Sequence, residues 1–77
     1  MTILIENADS LEYLTGDSHW TKIAADGKRF LKTLAAFDAA KKELIGRFNI
    51  VGYFPDTRQF INLHHGRGRG AGEVQPA

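Results

Sequence analysis

A chain of 77 residues and 8.6 kDa holds one small domain, and one this short buries only about 60% of the surface its unfolded form exposes. The absence of cysteine excludes disulfide staples and thiolate zinc sites, and 43% hydrophobic against 25% charged residues excludes wholesale disorder. The net charge of +1 is unevenly spread: residues 1–21 carry Glu6, Asp9, Glu12 and Asp17 without a Lys or Arg, so all the basic charge falls after residue 21.

Taken in chain order, Thr2 to Glu6 reads as a short strand, and Leu11 to Thr15 as either a strand or a single helical turn, since Asp9 and Glu12 have capping-box spacing. Two readings stand for the next segment. In one, Asp26-Gly27 is a tight turn between strands around Trp20–Ala24 and Arg29–Lys32, and Thr33 caps the helix that follows. In the other, Asp26 caps a longer helix that takes in Phe30. The hairpin is favoured, because Gly27 costs less in a turn than in a helix.

The helix itself covers about residues 33–46. Leu34 to Ile45 is rich in strong helix formers, Asp38–Lys42 and Glu43–Arg47 have the favourable acid-before-base spacing, and Gly46 suits the left-handed stop. Its expected apolar stripe is Leu34, Phe37, Ala40, Leu44 and Ile45, with the Lys41 stem snorkelling along the edge. Phe48 to Phe54 and Gln59 to His64 are rich in β-branched and aromatic residues, and Pro55-Asp56-Thr57-Arg58 between them supplies a turn, which makes a β-hairpin.

The last aromatic is Phe60, and four of the eight glycines fall at 66, 68, 70 and 72. The expectation is therefore a single α+β domain over residues 1–65, one helix on a small antiparallel sheet in a ββαββ-like order, and a flexible, disordered Gly/Arg tail over 66–77.

Most chemistries are excluded by spacing. The tail glycines miss the 1, 3, 6 pattern of a dinucleotide loop and have no helix to open. His64 and His65, as strand neighbours, point to opposite faces and do not share a metal ion. Asp17-Ser18-His19 holds three triad residue types, but consecutive placement does not assemble their roles. The reading is a protein that is not an enzyme, with no catalytic residues, cofactor, metal or small-molecule substrate. No apolar run approaches the ~20 residues of a membrane span, and no basic n-region with an apolar core opens the chain, so a cytoplasmic location is expected.

Binding remains. A small sheet has edge strands, Phe48–Phe54 lacks inward charges that block pairing, and eight aromatics are many for one small core. These features point to a non-catalytic binding or accessory module acting through a protein partner or a second copy of itself, as a homodimer. The alternative partner is nucleic acid. Its contacts would be Lys22, Lys28, Arg29 and Lys32 in one basic cluster, and His64, His65, Arg67 and Arg69 in another, with Tyr53 stacking on bases. Gly66-Arg67-Gly68-Arg69-Gly70 resembles a very short arginine–glycine segment of RNA-binding proteins.

Overall fold

The computed structural model describes residues 1–43 and 46–67. Strands β1 (Thr2–Asn7), β2 (Tyr13–Leu14) and β3 (Trp20–Thr21) lead through a 3-10 turn at Ala24–Asp26 into helix α1 (Thr33–Glu43). Strands β4 (Arg47–Phe54) and β5 (Gln59–Arg67) follow. The sheet is antiparallel in the order β3-β2-β1-β4-β5, and α1 packs on one face. This is the expected α+β architecture, but three strands rather than two precede the helix.

Apolar patterning explains why β1 and β4 lie at the centre. Ile3, Leu4 and Ile5 are consecutive and all buried, which a strand sustains only when both its faces are covered. On the helix side, Ile3, Ile5, Leu14, Phe48 and Ile50 form a core beneath Ala36 and Ala40. The small alanines let the helix backbone approach the sheet. The buried stripe therefore runs through Ala36 and Ala40, and Leu34, expected inside, is 68% exposed. Phe37 is half-buried, set edge-on against Phe48 at 5.7 Å with the Lys41 ammonium 5.4 Å from its ring centre. Leu44 and Ile45 lie outside the described residues.

A second, smaller core occupies the opposite face. Leu4, Tyr13 and Val51 are buried there, with Ala24 and Tyr53 packed against them. Tyr13 on β2 and Phe60 on β5 are three strand spacings apart, about 14 Å on a flat sheet, yet their rings stack at 5.6 Å. The sheet curls to bring them together over β1 and β4.

The segment between β3 and α1 follows the first reading in its strand at Trp20 and its helix start at Thr33, but not in the hairpin between them. β3 stops at Thr21, Ala24–Asp26 forms the 3-10 turn, and residues 28–32 make one isolated bridge, Phe30 to Ile3, instead of a strand. The Lys28 amide donates to the Leu14 carbonyl and the Phe30 amide to that of Ile3, so this stretch fills the gap where β1 and β2 diverge. Gly27 is buried where a Cβ would lie 3.1 Å from Leu4 Cδ2 and 3.4 Å from Tyr13 Cβ, which favours this placement over a helix start at Asp26.

The hairpin forms as expected, and β5 continues through Gly66 and Arg67, residues assigned above to the tail. Gly66 is required there: a Cβ would sit 2.5 Å from the Phe48 ring and 2.8 Å from that of Phe37. Gly46 has φ +98°, as a helix stop demands.

Candidate functional site

Both candidate surfaces belong to the β4–β5 hairpin, and its register decides what they contain. From the turn, Phe54 pairs with Gln59, Tyr53 with Phe60 and Val51 with Asn62; the next pair is Ile50 with His64. Leu63 is thus the extra residue of a bulge, and beyond it every β5 side chain changes its partner. Asn49 then faces His65, and Arg47 faces Arg67.

His64 and His65 consequently do different things. His64 lies on the helix side, its ring edge-on to Phe37 at 4.5 Å. His65 lies on the opposite face in a polar row across three strands. Asn49 Nδ2 donates to Glu6 Oε1 at 3.1 Å, which turns Asn49 Oδ1 toward His65, whose Nδ1 donates to it at 2.7 Å. Beside this row, Ala8, Arg47, Asn49, His65 and Arg67 border a cleft of about 350 Å³. Arg47 Nη2 is 2.6 Å from Asp9 Oδ1, and this pair is mostly exposed.

The central part of the same face is aromatic. Phe60 stacks on Tyr53 at 4.7 Å as well as on Tyr13. Burial, chiefly, and then the charge of Glu6 and the neighbouring Tyr53 push the Tyr13 phenol above its ordinary range. At the hairpin end, Arg29 shares a shallow hollow of about 90 Å³ with Thr2, Tyr53 and Pro55.

The basic residues singled out from sequence therefore divide. Lys22, Lys28 and Lys32 are exposed around the 3-10 turn, with the Lys28 ammonium 5.2 Å from the Phe30 ring centre. Arg29 and Tyr53 line one hollow, whereas His65 and Arg67 lie at the far end of the face and His64 on its reverse. Arg69 lies outside the described residues. Arg47, Asn49 and Phe60 were not singled out, because their placement depends on the bulge and on the curl of the sheet. The Asp17-Ser18-His19 sequence turns the chain between β2 and β3. Thr15 Oγ1 donates to Asp17, the main cause of a lowered Asp17 pKa, and His19 Nδ1 lies 3.3 Å from the same carboxylate.

The second surface is the outer edge of β5. Nine residues long, it ends the sheet, whereas the opposite edge, β3, has two. From Gln59 to Leu63 it carries no charge and no proline. Phe60 and Ile61 are exposed on it, and Met1 and Ile61 crowd together over Gly52 on the helix side. No family model, curated protein or solved structure matches the chain.

Proposed function

We infer that this chain is a non-catalytic binding module that pairs with a second copy of itself through the outer edge of β5. The observation that carries the reading is that edge, which among the described residues pairs with no further strand and carries no charge from Gln59 to Leu63, since an unpaired row of N–H and C=O groups is a template for another strand. Antiparallel β5–β5 pairing is self-complementary, as a two-fold dimer requires, and joins two five-stranded sheets into one. The exposed Phe60 and Ile61 would then pack against their counterparts.

Nucleic acid is the second reading, supported by the hollow that Arg29 and Tyr53 both line at the hairpin end of the curled face. Analytical sedimentation from ~10 µM to ~1 mM, the range of weak protein contacts, separates the two, run alone and with single-stranded oligomers at two salt concentrations. Self-association that is lost in Ile61→Lys but kept in Leu11→Lys, an exposed site in the β1–β2 turn, is the expected result. A monomer at every concentration, or equal loss in both variants, overturns pairing through β5. Oligomer uptake that weakens steeply with salt and needs Arg29 would establish the second reading instead.

A further inference from the structure

Arg47 and Arg67 stand directly opposite each other on adjacent strands. Like charges in that position repel and weaken a sheet unless something neutralises them. Asp9 compensates Arg47, and among the described residues no carboxylate lies within ion-pair distance of Arg67. With Asp9 paired to Arg47, the charge of Arg67 is left without an ion-pair partner, and both arginines border a cleft large enough for a small polyatomic anion. A guanidinium carries five N–H donors in a planar fork, and Asp9 engages only the Nη2 of Arg47. Asn49, oriented by Glu6, holds His65 through Nδ1 and leaves Nε2 free of that bond. From residue 57 to residue 72 the sequence holds Arg58, Arg67 and Arg69 and no acidic residue.

We propose that the cleft between Arg47 and Arg67 is an oxyanion site that takes a phosphate group, with the two guanidinium forks as its donors and Asp9 as a built-in competitor. Tetrahedral phosphate presents separate oxygens to each fork, which a single carboxylate does less well across two strands. A phosphodiester and free phosphate offer the same oxygens, the latter with more charge. Asp9 occupies one fork while the cleft is empty and yields it when the anion enters. Arg67 closes β5, but every residue that lines the cleft comes from one chain, so the site does not require self-association.

The test follows arginine side-chain N–H resonances by NMR in phosphate-free buffer at ~50 mM salt, where phosphate-driven contacts are strong. Inorganic phosphate and a short thymidine oligomer are titrated separately. The expected result is saturable shifts at Arg47 and Arg67 that exceed those at Arg58. Tighter binding of the oligomer identifies a phosphodiester source, and tighter binding of phosphate identifies the free anion.

Two exposed substitutions give opposite signs. Arg67→Gln should weaken binding by about tenfold, the loss of one charge-assisted contact. Asp9→Asn should tighten it several-fold by releasing the Arg47 fork. Equal shifts at Arg58, or an Asp9→Asn variant that binds no better than the parent, overturns the proposal.

Discussion

At the scale of single residues, Tyr13 links the second core to pH. Its ring is buried between Leu4 and Phe60, and loss of its proton would place a phenolate there, close to the Glu6 carboxylate. Burial, first, and Glu6, second, therefore raise its pKa in the folded chain above the ordinary 10.0. The sign of the linkage follows. Above pH 10 the unfolded chain loses this proton while the folded chain retains it, so the folded state binds more protons and stability falls as pH rises. Below pH 10 both states hold the proton and the group is neutral in its effect. Urea unfolding between pH 8 and pH 11 should show a decline that begins near pH 10 and is reduced in Tyr13→Phe. An unchanged decline in Tyr13→Phe would assign it to other groups.

The elements show what the sequence disclosed and what it could not. The helix and the hairpin were legible because their cues are local: helix formers over Leu34–Glu43, the stop at Gly46, and turn residues at Pro55–Arg58. The orientation of the helix was not. Leu34 and Phe37 look like its anchors, but the sheet accepts Ala36 and Ala40 at closest approach, and Phe37 reaches the core from the side. Substitutions to alanine should rank accordingly. Ile50, fully buried, should cost about 3–4 kcal/mol and half-buried Phe37 about 2 kcal/mol. Leu34 should stay within about 0.5 kcal/mol, as exposed positions do. Denaturant midpoints with unchanged slopes give this ranking, and a Leu34 loss equal to that of Phe37 would show that the exposed flank of the helix is covered in solution. The bulge at Leu63 was equally illegible. Without it Asn49 would face His64, Arg47 would face Gly66, and the two arginines would not meet. One extra residue thus decides which histidine joins the polar row.

At the scale of the whole molecule, the balance of apolar surface is the dominant fact. Among the described residues, the large hydrophobics that are buried are Ile3, Leu4, Ile5, Tyr13, Leu14, Phe48, Ile50 and Val51. As many are exposed, from Leu31 at 97% to Phe54 at 36%. Single exposed apolar residues are ordinary, but parity is costly for a chain whose core is this small. Pairing through β5 would remove part of that surface and couple folding to association, so thermal stability should depend on concentration. If the folded chain is largely dimeric, each tenfold rise in concentration adds to each chain half of ~1.4 kcal/mol, about 0.7 kcal/mol. For a domain of this length that raises Tm by about 3–5 °C. Melting curves over a hundredfold concentration range, in phosphate-free buffer so that the arginine cleft contributes nothing, should show this upward drift. Ile61→Lys should abolish it, because a lysine on the edge opposes strand addition without entering either core. A Tm that stays constant across the range in the parent chain would count against pairing through β5.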